Sequence, residues 1–413
     1  MTGVVLPIDP AVDRRNGNIY VLTQILTFFS APVLYVGIVQ AEFFDKLGAS
    51  ATIANLPSST YLLGSIMPLI CSWLVPARFE LRTVQHSYGI VAGSFLLVIA
   101  AIFLPAPNGM RITAVVGQGL LLGMLNSVIN TYLLRCVARG TSEAGRARAF
   151  KYAFGIGPFA AVLGSLLAQL VLSGRIPGLP HPYNFGLLYL IALPCMATCA
   201  VLARRLRLPE ASGERIASLV TFLRESLGSY LADRRLVFAW IAYLLWYCAL
   251  GGMTNVSLYT REAIGRTPLE LAGLIMALRF GCKALAGFGL GLIAGKYGAR
   301  SAMLGTVVLV GLGLAWPFFA TGYGYLAAFG FMGGGELGGV YFFNYIIAVS
   351  QPAHATRNMA LLALVAPISS LVPALHGSLT DRFGFQASFA FGAASATVAV
   401  ALLLLTAERR QPR

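Results

Sequence analysis

Charged side chains are scarce in this sequence. They make up 11% of its 413 residues, against roughly 25% in an ordinary soluble domain. So few charges cannot cover a water-exposed surface of this size, which excludes a soluble globule and leaves lipid as the main solvent. Acidic residues are scarcer still, 15 against 30 lysines and arginines, for a formal charge of +15. That balance raises the question of nucleic acid, and the distribution answers it. The basic residues stand in short gaps between apolar runs and form no compact face, so no nucleic-acid partner is expected. Histidines number only four and are widely scattered, which argues against a membrane-embedded enzyme, whose catalytic His, Asp or Glu must cluster at one membrane face. The six cysteines (Cys71, Cys136, Cys195, Cys199, Cys248 and Cys282) include no C-x-x-C pair and lie in or beside apolar runs. They read as small packing residues, not as disulfides or metal ligands. A P-loop is missing, so ATP is not the direct energy source and no cofactor is expected. The polar residues 1–17 are not followed by a short apolar stretch with a small-residue cleavage site, so the first apolar run is expected to stay as a helix.

What is abundant is apolar sequence: 57% of residues are hydrophobic and the mean hydropathy is +0.76. The apolar runs fall over 20–42, 53–75, 88–104, 112–134, 152–172 and 184–202, then over 237–258, 270–294, 301–320, 325–350, 359–379 and 387–405. Each is close to the roughly 20 residues needed to cross hydrocarbon at 1.5 Å per residue. A single segment in lipid must satisfy its own backbone, so the runs are expected to be helices. The expected fold class is an all-α membrane protein of 12 transmembrane helices. With both termini on the cytoplasmic side, 22 lysines and arginines fall inside and 6 outside, and Arg279 and Lys283 lie within a span. Under the positive-inside rule this predicts N-in, C-in insertion in the cytoplasmic (inner) membrane.

The longest polar stretch, 204–235, divides the chain almost centrally. Ile216, Leu219, Val220, Leu223, Leu227, Tyr230 and Leu231 recur there at helical spacing, which predicts an amphipathic linker helix on the membrane surface. The expected domains are therefore a six-helix bundle over 1–203, a cytoplasmic linker over 204–236 and a second six-helix bundle over 237–413. The halves echo each other: Asn130-Thr-Tyr against Asn344-Tyr-Ile, and Gly164-Ser-Leu against Gly377-Ser-Leu, at an offset near 213 residues. Collinear matches of this kind predict an internal duplication and two pseudo-symmetric bundles.

Gly291-Leu-Ile-Ala-Gly-Lys-Tyr-Gly-Ala-Arg300, between spans 8 and 9, resembles the cytoplasmic loop signature G-x-L-x-D-R-x-G-R-R of the major facilitator superfamily. Gly377-Ser-Leu-Thr-Asp-Arg-Phe-Gly384 resembles the end of that family's span 11, and Glu143-Ala-Gly-Arg-Ala-Arg148 its basic entry to span 5. The resemblance covers nearly the whole chain. It implies a cavity lined by spans 1, 4, 7 and 10, with the two halves rocking about a midplane site. Gly291, Gly295, Lys296, Gly298 and Arg300 would form the gating loop. Gly295 stands where the signature has its acid, so the charge and helix-dipole contact made by that acid is not available here. The first-half counterpart, Pro76-Ala-Arg-Phe-Glu-Leu-Arg82, departs further, and Gly157-Pro158 alone echoes the antiporter motif of drug exporters.

Ionisable residues in mid-membrane are costly and mark function. Three stand out: Arg279 and Lys283, one turn apart on one face of span 8, and Glu336 in span 10. Glu336 neutralises one cation, and the other calls for a counter-anion, a deprotonated lysine or a substrate with negative charge. The substrate is favoured; the bland alternative is an Arg279–Glu336 pair with Lys283 snorkelling to water. Glu336 also qualifies as a proton-coupling carboxylate. It lies in Gly333-Gly-Gly-Glu-Leu-Gly-Gly339, where the glycines serve close packing or a hinge. Tyr341, Asn344 and Tyr345 in span 10, Asn126 and Asn130 in span 4, Gln24 in span 1, and Tyr243, Tyr247 and Asn255 in span 7 complete a polar and aromatic lining or act as glue between helices. His376 reads as a packing residue.

The expected function is a secondary transporter, not an enzyme, moving a small polar, anionic solute by alternating access with proton coupling. The partners are then the solute, the coupling ion and the bilayer, with the chain acting as a monomer. The alternatives are a proton-driven exporter of drugs or metabolites with an apolar cavity, and a membrane sensor that moves nothing.

Overall fold

The computed structural model of the protein describes residues 8–405 except 35, 174–175, 210–226, 229 and 352–353. Every regular element among them is helical, and nine stretches are long and apolar enough to cross a membrane. Large apolar side chains stand outward on these helices, with Phe159, Leu285 and Phe288 between 72% and 75% exposed. A water-facing surface does not carry rows of this kind; a lipid-facing one requires them. The amphipathic linker expected over 216–231 lies largely outside the described residues.

The runs expected over 20–42, 53–75 and 325–350 are each helical but interrupted, and each break has a local cause. The first run comprises α1 (Pro10–Phe29), α2 (Ala31–Leu34) and α3 (Ile38–Lys46). Gly37, at φ 139°, turns the chain into α3, a conformation that L side chains rarely adopt, and the Gln40 side chain accepts its N–H at 3.0 Å. The second comprises α4 (Ala51–Gly64) and α5 (Met67–Leu74), where Pro68 in the first turn of α5 lacks the N–H that would continue the preceding helix. The third breaks at Glu336 and Leu337.

The chain packs as two compact units. One comprises 1–36 and 64–216. In it α6 (Glu80–Phe103) packs against α7 (Asn108–Gly140) and α9 (Tyr183–Ala203), while α1 packs along α8 (Glu143–Leu172). Polar ties gather at one end of this unit. Asp13 accepts from the Ser142 backbone at 2.8 Å and from its hydroxyl at 3.0 Å. Asn16, fully buried, donates to the Gly140 and Arg207 carbonyls, both at 2.7 Å. Glu80, 2% exposed, pairs with Arg135 at 2.8 Å and Arg139 at 3.2 Å.

The other unit comprises 37–63 and 217–413. Its later helices are α10 (Arg234–Leu250), α11 (Met253–Leu258), α12 (Thr260–Ile264), α13 (Pro268–Tyr297), α14 (Ala299–Ala315), α15 (Ala327–Gly335), α16 (Gly338–Val349), α17 (Ala355–Ala363), α18 (Val365–Ile368), α19 (Val372–Phe383) and α20 (Phe385–Leu405). α15 packs on both α13 and α14, and α20 on α10 and α14. Although 37–63 comes from the first half of the chain, it is built into this unit by a polar seam. Asp381 on α19 accepts from the Ala51 and Thr52 amides, both at 2.9 Å, and from the Thr52 hydroxyl at 2.5 Å. The carboxylate thus caps the positive end of α4. Arg261 on α12 reaches Asp45 at 2.6 Å, and Asn55 donates to Asn255 at 2.8 Å.

Candidate functional site

Two glycine-dependent approaches bring Arg279, Lys283 and Glu336 together, the three charges expected at membrane depth. A Cβ on Gly333 would strike the backbone of Arg279, so α15 crosses α13 with main chain against main chain. A Cβ on Gly338 would strike the Trp246 ring, which seats the start of α16 on α10. Between these contacts the helix opens at Glu336 and Leu337, and the freed Gly335 carbonyl accepts the Trp246 indole N–H at 3.1 Å. An unpaired carbonyl in hydrocarbon costs several kcal/mol on the order given by apolar transfer, so the indole is what makes the opening tolerable.

At the opening, Glu336 spreads its two oxygens between two cations. Arg279 Nε donates to Oε1, and Lys283 Nζ donates to Oε2 at 2.9 Å. The Glu336 and Arg279 side chains are 8% and 9% exposed, and that of Lys283 is 25% exposed. Lys283 therefore does not turn away to water, as in the bland sequence reading; it completes a triad. The Phe280 ring lies 5.8 Å from the Arg279 guanidinium carbon and 6.0 Å from Lys283 Nζ, within cation–π reach of both. With all three groups ionised, the three side chains together carry one net positive charge.

The expected lining residues are placed in different settings. Tyr247 is half-buried, its ring 5.0 Å from Tyr243 and 4.9 Å from Trp246. Tyr345 is fully buried, Asn344 is exposed, and the Tyr341 hydroxyl donates to the Gly287 carbonyl at 3.3 Å. Gln24 on α1 and Asn126 on α7 are half-buried, and Asn130 on α7 is exposed; all three belong to the unit of 1–36 and 64–216. Asn255 is fully buried and faces the His376 carbonyl, Thr380 and Ser388 within 2.9 Å, a packing hub. His376 is satisfied on both nitrogens, by the Cys248 carbonyl at 2.7 Å and the Ser388 hydroxyl at 2.7 Å.

Of the residues expected in the gating loop, Gly291, Gly295 and Lys296 lie within α13 and Arg300 within α14, with only Gly298 between the two helices. Gly298, at φ 87°, ends α13 and turns the chain into α14. Arg300 donates to the carbonyls of Leu403, at 2.7 and 2.9 Å, and Leu404, at 2.9 Å, covering the negative end of α20. Lys296 lies over the Tyr297 ring at 5.1 Å; Gly295 is exposed with open space around it, and Gly291 is exposed too, a Cβ there lying 3.8 Å from the Tyr341 hydroxyl. Sequence reasoning passed over Trp246, Glu42, Glu80 and Asp381. For Trp246 no local signal exists, because its role depends on a break in another helix. The acids are rare enough in so apolar a chain that their rarity alone was a signal.

No known family profile and no curated protein matches this sequence. Solved structures do match over nearly the full chain. A mutant form of the nucleoside transporter NupG aligns with a TM-score of 0.72 at 14% identity, covering 96% of this chain and 100% of that one. The peptide transporter PepTSo of the POT family aligns with a TM-score of 0.69 at 11% identity, over 97% and 98%. The major facilitator superfamily transporter FucP, in its outward conformation, aligns with a TM-score of 0.60 at 16% identity, over 95% and 99%; FucP is also described as the E. coli fucose:proton symporter.

Proposed function

We propose that this chain, which has the fold of the major facilitator superfamily transporters, is a secondary transporter for a small anionic solute. In this reading the homologous bundles are 1–203 and 237–413, with 204–236 as their cytoplasmic linker, twelve spans and both termini inside, and the chain acts as a monomer in the cytoplasmic membrane. The observation that carries the substrate class is the triad: a buried arginine and a half-buried lysine share one carboxylate. A solute carboxylate or phosphate docking beside Lys283 balances the remaining charge and takes charge-assisted hydrogen bonds from it. The energy source is a proton gradient, as in the fucose:proton symporter FucP.

The test is uptake into proteoliposomes under an imposed proton gradient, with anionic, neutral and cationic solutes presented in parallel. Anion uptake that depends on both Arg279 and Lys283 is the expected result. Uptake of neutral solutes only, indifferent to Lys283→Met, overturns the anionic assignment; no uptake of any solute returns the chain to a sensor role.

A further inference from the structure

A further buried acid, Glu42, differs from Glu336 in its surroundings. Glu42 on α3 is 2% exposed, and neither carboxylate oxygen has a hydrogen-bond partner among the described residues. α3 packs against α11 and α13. α11 carries no titratable side chain, and the fully buried Ser257 hydroxyl there likewise has no hydrogen-bond partner among the described residues. The charges acting on Glu42 are Asp45 and Lys46 on its own helix and Arg261 on α12; no charged group of α13 is among them. Arg261 is committed to Asp45 at 2.6 Å, with side chains 51% and 30% exposed, so that cation is engaged at the rim of the contact.

An ionised carboxylate buried without a hydrogen-bond donor is prohibitively costly, whereas the neutral acid costs little more than any buried hydroxyl. We infer that Glu42 holds a proton in the arrangement seen here, and that it is the proton-binding residue of this chain. The seam explains how the proton comes and goes. α3, which carries Glu42, lies against α11 and α13, and 37–63 is docked on the later helices through Asp381, Arg261 and Asn255. Releasing that segment returns Glu42 to water, where it ionises. The docked form therefore binds one more proton than the released form, and acidification favours docking. Glu336, held between two cations, needs no proton, so the carrier and the solute site are different carboxylates. The coupling consequence rests on the transport reading; the bound proton does not.

Infrared difference spectra of the full chain in lipid nanodiscs, stepped from neutral to alkaline pH, test the proton directly. The carbonyl stretch of a protonated carboxylic acid should appear at neutral pH, vanish in Glu42→Gln and persist in Glu336→Gln. A band unaltered in Glu42→Gln, or its absence from the unsubstituted protein, overturns the inference. Glu42→Asp serves as a second variant, since it should move the band without removing it, and an unmoved band is equally contrary. A Glu42-dependent band in a chain that transports no solute would leave the proton site standing and sink the transport reading alone.

Discussion

The indole N–H of Trp246 donates to the carbonyl of Gly335 at 3.1 Å, one residue before Glu336. The bond joins a helix break to the helix beside it, and the break is what lets Glu336 meet both Arg279 and Lys283. Trp246→Phe keeps a large aromatic ring and removes the donor. It should lower stability by about 1–2 kcal/mol, the range for interhelical hydrogen bonds in membranes, read as the unfolding midpoint in detergent. An unchanged midpoint would mean that the freed carbonyl finds another donor.

The triad predicts an asymmetry between its members. Glu336→Gln strands two adjacent cations and should cost about 3–5 kcal/mol, as for a broken buried ion pair. Lys283→Met leaves the Arg279–Glu336 pair neutral and should cost less than half of that while abolishing anion uptake. Equal destabilisation by the two substitutions would contradict the charge count.

Close backbone approach makes Gly333 and Gly295 opposites. Gly333→Ala forces a Cβ into the Arg279 backbone and should destabilise by about 1–3 kcal/mol, the usual cost of overpacking. Gly295→Ala meets nothing within 4 Å and should leave the melting curve unchanged. Comparing the two variants under one detergent separates packing from loop chemistry.

At the seam, Asp381→Ala removes the cap from α4 and should cost about 0.5–2 kcal/mol. Thr52→Val loses part of the same interaction, so the double variant should cost clearly less than the sum of the two singles. Additive losses would show that Asp381 acts elsewhere.

The positions of the membrane helices were legible because lipid leaves the chain little choice: an apolar run must close its own hydrogen bonds, so composition and length locate it. The runs over 88–104 and 184–202 correspond to α6 and α9 on that ground alone. The motif over 291–300 was expected in a loop, yet all of it but Gly298 lies in α13 and α14, and Arg300 covers the end of α20, a contact that no spacing within 291–300 announces. Arg279 and Lys283 could be paired from helical periodicity, whereas Glu336 joins them from 53 residues beyond Lys283 in the chain.

Composition and periodicity by themselves determined the solvent, the helices and the rarity of membrane-depth charge, since each follows from local transfer free energies. Tertiary structure alone decided that Glu336 is shared by two cations while Glu42 has no hydrogen-bond partner among the described residues, that Trp246 stabilises a break in a distant helix, and that 37–63 docks with the later half. Those outcomes depend on which faces meet across long stretches of chain, and the free energy of a buried charge is set by its neighbours in space.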